Sequence, residues 1–139
     1  MKADRGSVTI WMLGLSVLLL LFGGIAIDLW RALDLQREMA AVADSAAIAA
    51  ASGIDEEHYR ETGEITLDPV RAEAFGSTSI DSQDALVESR EIWIDPDGLS
   101  VTVEVSAVLE LGLLGLFVDQ TEPLQIRTTA TAEPVLVPA

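Results

Sequence analysis

His58 is the only histidine in the chain, and it stands among Asp55, Glu56, Glu57 and Glu61 in "DEEHYRETGE". An imidazole beside carboxylates is a donor set for zinc, but such sites place their ligands at set helical spacings, as in His-Glu-x-x-His. This stretch matches no such spacing, so a solvated acidic segment is expected. "DPDG" at residues 95–98 opens like a calcium loop, yet lacks the third acid and the distal glutamate that complete one. A turn is expected there. Carboxylates abound, with 23 Asp and Glu against 8 Lys and Arg. None is set apart in an apolar pocket that would tune it as a general acid. With no cysteine, thiolate chemistry and disulfide staples are excluded. There is no second histidine, no Gly-x-Ser-x-Gly and no phosphate loop. The expectation is a protein that is not an enzyme, with no catalytic residues, cofactor or metal. The net charge of -15 also disfavours nucleic acid, because few cations are present to replace phosphate counterions.

The chemistry left is that of surfaces. Half the residues are apolar despite the acidic balance, and they are concentrated. No charge occurs from Gly6 to Ile27, and about 20 such residues cross a bilayer as a helix. Lys2 and Arg5 precede this stretch, and every acid but Asp4 follows it. The positive-inside rule then puts the N-terminus in the cytoplasm and the long C-terminal part outside. A cleaved signal peptide is the competing reading, with "GIA" at 24–26 as its small-residue site, but the apolar stretch exceeds the usual 7–15 residues of such signals.

The helix is expected to continue past Asp28. Asp28, Arg31, Asp34 and Arg37 alternate in charge at i, i+3 spacing, which favours helix by about 0.2–0.5 kcal/mol per pair. Asp28 is expected to be solvated at the membrane edge beside Arg31, with contact to a neighbouring subunit as the sharper alternative. Leu35, Met39, Val42, Ala46 and Ala49 recur at 4-3-4-3 spacing, a narrow apolar seam in a strongly helical, alanine-rich run. The seam needs burial, against the chain's own sheet or between copies. Gly53 suits a C′ glycine in the left-handed region. Gly14, Ser16 and Gly23-Gly24 could admit close helix approach, although no GxxxG is present.

Beyond residue 53, Asp68 can cap and Pro69 can open a short amphipathic helix that stops at Gly76, with "STSIDSQDA" as a polar connector. Then the period becomes two. Ile92 and Ile94 alternate with Glu91, Trp93 and Asp95. After the "DPDG" turn, Leu99, Val101, Val103, Val105 and Ala107 share one face, while Ser100, Thr102, Glu104 and Ser106 share the other. Leu124, Ile126, Thr128 and Ala130 repeat the pattern. Three strands give a small antiparallel sheet whose greasy face needs a cover, and the alanine-rich helix supplies it. "LGLLGLF" at 111–117 is too short to span. It is expected to cap the open end of the sheet, with the membrane surface as the alternative.

The segment "RGSVTIWMLGLSVLLLLFGGIAIDLWRALDLQREMAAVADSAAIAAA" resembles the N-terminal part of TadE/TadG-like proteins of Flp (tight-adherence) pilus assembly. It shows their Arg-Gly start, long span, early Asp and alanine-rich end. The hairpin, "LLGLF" and "TATAEP" are also similar to that family. The expected fold class is α+β and pilin-like, a long N-terminal transmembrane helix extending out of the membrane and packed on a small antiparallel three-stranded sheet. Its parts are a cytoplasmic N-terminus (1–6), the transmembrane helix (7–27), an extramembrane extension (28–53) and an exported domain (54–139). The resemblance implies a structural component of the pilus or a related envelope secretion machine. It would sit in the inner or plasma membrane as a single-pass protein. Its partners would be the lipid bilayer and other pilus or secretion-system proteins, its own copies included. Two alternatives stand beside it. One is a minor pilin processed between Gly6 and Ser7, although the fifth residue beyond that cut is Trp11 and not the Glu of processed pilins. The other is a membrane-tethered ligand- or cell-wall-binding module.

Overall fold

The computed structural model describes residues 4–116 and 123–135, with side chains for 7–115 and 123–135. The chain divides into two units, Met1–Asp34 with Leu109–Leu124, and Leu35–Val108 with Gln125–Ala139. The elements in order are α1 (Asp4–Ala51), α2 (Glu56–Thr62), α3 (Pro69–Asp81), β1 (Ser89–Ile94), β2 (Val101–Leu109) and β3 (Leu124–Ala132), with a 3-10 turn at Leu114–Leu116 before β3. The helix α1 is a single element of 48 residues that runs through Asp28 without interruption.

Within the first unit α1 is apolar on every side. Ile10, Trp11, Leu13, Leu20 and Phe22, spread around the helix, are all exposed. A water-facing helix keeps its apolar side chains to one stripe, whereas one surrounded by lipid does not. Among the described residues this is the one helix long and apolar enough to cross a membrane. Trp11 and Trp30, both exposed, stand about 28 Å apart at 1.5 Å per residue. That separation matches the thickness of a hydrocarbon core, and indoles favour its two boundaries.

Within the second unit the same helix becomes one-sided. Met39, Val42, Ala43, Ala46 and Ala47 form a buried cluster with Ile80 of α3, Val103, Val105 and Ala107 of β2, and Ala130 of β3, with Leu35 packed at its edge. Ala50 and Ala51 form a second cluster with Leu67, Ala72 and Val101. The seam expected from 4-3-4-3 spacing therefore shifts at its C-terminal end, where Ala49 is only partly buried and Ala50 is fully so. A straight helix of 3.6 residues per turn drifts about 20° per heptad from a 3.5 repeat. Counted from the buried Met39, Ala50 comes eleven residues on and lies within about 20° of the same face, whereas Ala49 lies about 80° away.

Two glycines play other parts than expected. Gly53 is not among the glycines of positive φ. It is buried, and a Cβ there would lie 2.6 Å from the Ala72 backbone nitrogen, so it allows α3 to cross close by. Gly76 does not stop α3 either. The helix continues through the anticipated connector to Asp81, and Gly76 lies buried where a Cβ would meet Ile92 and Ala50. Ala72, Gly76 and Ile80, at i, i+4 spacing, are the inward stripe of α3. Its start follows the sequence expectation, with Asp68 accepting from the Val70 and Arg71 amides and Pro69 opening the helix.

The sheet order is β1-β2-β3. β1 pairs antiparallel with β2, Ile92 opposite Val103 and Ile94 opposite Val101. Across to β3, Arg127 pairs with Glu104 and Thr131 meets Thr102, so the second pairing is antiparallel too. The central strand buries one face fully and the other in part, with Glu104 and Val108 only half-buried. Thr102 and Ser106 are enclosed despite their polarity, because Thr102 Oγ1 meets Thr131 Oγ1 at 2.9 Å and Ser106 Oγ meets Ser89 Oγ at 2.6 Å. Leu99, expected on the apolar face, precedes β2 and is 48% exposed. Leu124 at the start of β3 is exposed as well.

Candidate functional site

Two of the polar residues flagged as metal donors, Asp55 and Glu56, are engaged in local structure. Asp55 caps α2, its carboxylate accepting from the Glu57 amide at 3.1 Å and the His58 amide at 3.0 Å. Glu56 pairs with Arg60 and Arg71. Among the described residues no three His, Cys, Asp or Glu side chains converge as a metal would need. In "DPDG", Asp95 accepts from the Ser100 and Thr102 hydroxyls, Asp97 accepts from the Leu99 amide, and Gly98 takes φ 69°. These carboxylates close a turn. A cleft of about 390 Å³ lined by Ile80, Asp81, Gln83, Val87, Glu88 and Arg90 lies where α3 ends and β1 begins. The Arg90 guanidinium there is taken by Asp81. His58→Ala is expected to leave thermal stability within about 0.5 kcal/mol, the range of surface substitutions, as a melting curve would check.

Asp28 is the exception. It was expected to be solvated beside Arg31, and it is instead 3% exposed. One carboxylate oxygen accepts from the Gly112 amide at 3.0 Å and the other from the Leu114 amide at 2.8 Å. Arg31 stays exposed and acts on the carboxylate only through its charge. Two glycines make the contact feasible. A Cβ on Gly112 would stand 2.7 Å from Asp28 Oδ1, and a Cβ on Gly24, one turn before Asp28, would overlap the Leu113 side chain. The described part of the "LGLLGLF" segment is thus held on α1 at Gly24 and Asp28. It was expected to cap the sheet. Phe117 lies outside the described residues. Gly14 and Gly23 have open space around them, whereas the gap at Gly24 is filled from within the chain.

The Leu114 amide, helped by the Gly112 amide and the charge of Arg31, holds the Asp28 carboxyl below its ordinary value of 3.8, against an opposing effect of burial. With the folded value below the free one, the ionised group stabilises the contact fully above pH 3.8 and loses that contribution as pH falls through the folded value. The Gly112 and Leu114 amide resonances should therefore hold steady from about pH 7 down to about pH 5 and move only in stronger acid. Movement in the neutral range would contradict an amide-held carboxylate.

The remaining candidates fall elsewhere. Met39, Val42 and Ala46 are buried against the chain's own sheet, with Leu35 at the edge, so a partner cannot reach them without opening the core. Gly6 and Ser7 lie inside α1. Residues 1–3 are outside the described residues. Sequence reasoning named Gly24 as a point of close approach and 111–117 as one segment, but did not foresee that Gly112, Leu113 and Leu114 meet α1 at Gly24 and Asp28. The one visible sign was an uncharged run between Glu110 and Asp119.

α1 therefore combines an all-round apolar half, an aspartate just past it, and an alanine-rich half that builds a core. That segment is similar to a TadE/G-like family model. Residues 6–53, roughly a third of the chain, match the family model Tad, described as "Putative Flp pilus-assembly TadE/G-like". The match covers α1 almost end to end and stops at Gly53. It supports a role related to pilus assembly, and the apolar half of α1 fits a membrane anchor. No curated protein and no solved structure matches the chain.

Proposed function

We propose that this chain is a structural, membrane-anchored component of Flp/Tad-type pilus assembly or of a related envelope secretion machine, acting through protein–protein contacts. The observation that carries the reading is the TadE/G-like match over a helix whose first half suits lipid and whose second half is the core of a folded unit. Residues 7–27 insert in the inner or plasma membrane, the N-terminus stays in the cytoplasm, and the sheet and its two short helices lie outside. Other pilus or secretion proteins are the partners. Their contact surface lies outside the Met39–Ala47 seam, which the chain's own strands cover.

The mature N-terminus tests this reading. Mass spectrometry of the protein recovered from membranes is expected to find Met1 retained. A chain beginning at Ser7 would make it a processed minor pilin instead. One beginning at Ile27 or later would make it a secreted product and end the anchor reading.

A further inference from the structure

The loop joining β2 to β3 is held against α1 at Gly24 and Asp28, where the uncharged stretch of the helix ends. Leu113 lies over Gly24, which belongs to the uncharged stretch of α1, about 6 Å along the helix axis on the N-terminal side of Asp28 at 1.5 Å per residue. Asp28 is the first charged residue after that stretch, and the exposed Trp30 two residues on is of the type that favours the interface between hydrocarbon and water. Leu111, Leu113 and Leu114 are each only partly covered by protein, and residues 111–118 carry no charge. On the same stretch of α1, Phe22 and Ile27 are exposed.

Backbone amides that enter an apolar, lipid-facing layer lose water and must find partners within the protein. The Gly112 and Leu114 amides find one carboxylate between them, and the chain then tightens into a 3-10 turn. We propose that the 110–116 loop is a second membrane contact, its leucines seated at the boundary of headgroups and acyl chains on the exported side, with Asp28 as the acceptor that lets its backbone enter. The partner is the lipid surface itself. Apolar side chains laid into this boundary gain affinity with the area they bury. The inference rests on the reading of 7–27 as a span.

The absence of cysteine makes single-site labelling direct. Leu111→Cys in the full chain would carry a small fluorophore, with the protein reconstituted in phosphatidylcholine–phosphatidylglycerol vesicles. The quenchers would be a lipid bearing a nitroxide high on its acyl chain, and aqueous iodide. Leu19→Cys in the span and Leu86→Cys, at a position 88% exposed, are the references. The label at 111 is expected to be quenched by the lipid nitroxide roughly threefold more than the label at 86, and less by iodide. Asp28→Ala should reverse that order by releasing the loop. Iodide quenching at 111 equal to that at 86 would overturn the proposal, and so would shielding from both quenchers, which would mean a protein cover. If the label at 19 also escapes the lipid nitroxide, it is the span reading that fails.

Discussion

Ala46→Glu is expected to unfold the second unit. Ala46 is fully enclosed by Met39, Val103, Val105 and the other members of the larger cluster. Glutamate there must either ionise without a partner or force the helix off the sheet. An uncompensated buried charge costs about 3–5 kcal/mol, a large share of the roughly 5–15 kcal/mol that holds a domain together. Trypsin applied to the full chain in detergent should then cut rapidly after Arg71 and Arg90. Ala41→Glu is the control. It lies five residues earlier on the exposed side of the same helix, and it should cost less than about 0.5 kcal/mol. Equal resistance of both variants to protease would mean that the alanine face does not support the fold.

The second large effect is expected at Asp28. Asp28→Ala removes the acceptor of two amides at once, leaving the Gly112 and Leu114 N–H groups with no partner on α1. Hydrogen exchange at those two amides should accelerate roughly tenfold or more, as for a segment changed from held to locally open. The amides of Val103 and Val105 should be unaffected, because their strand lies in the other unit. Gly24→Leu should produce the same local release by a different route, since its side chain claims the space that Leu113 occupies. If exchange at Gly112 and Leu114 is unchanged in both variants, Asp28 does not hold the loop. Arg31→Ala should have a much smaller effect, since Arg31 contributes charge at a distance and no direct bond to the loop.

The architecture was legible wherever it depends on period or composition. The apolar stretch, the alanine-rich continuation, the Asp68-Pro69 start and the alternation in β2 each imply their element from local physics. What stayed hidden depends on contact between distant parts of the chain. Gly76 reads as a helix stop because glycine is a poor helix former. In the fold its missing Cβ is what lets α3 approach Ala50, and that gain outweighs the propensity. Gly53 looks like a left-handed cap for the same reason and serves close packing instead.

Asp28 shows the limit most clearly. Its partners are backbone amides 84 and 86 residues away, and an amide has no side-chain signature to read. Arg31, one turn on, offered a local partner that was easy to see. The fold favours the amides because a carboxylate that leaves water needs short, directed donors, and charge-assisted bonds from N–H groups supply them. The acidic cluster around His58 misled in the opposite direction. Its residues had the right chemical types, but Asp55 serves as a helix cap and Glu56 in surface ion pairs, and among the described residues no metal-holding group forms there.

α1 is one continuous helix whose second part is the core of a folded unit, and on the proposed function its first part lies in lipid. Backbone carbon chemical shifts of the full chain in lipid bicelles test it directly. Helical values at every residue from Gly24 to Val42 are predicted, with no interruption between Leu29 and Met39. Coil values anywhere in that interval would divide the membrane helix from the core helix and contradict the account.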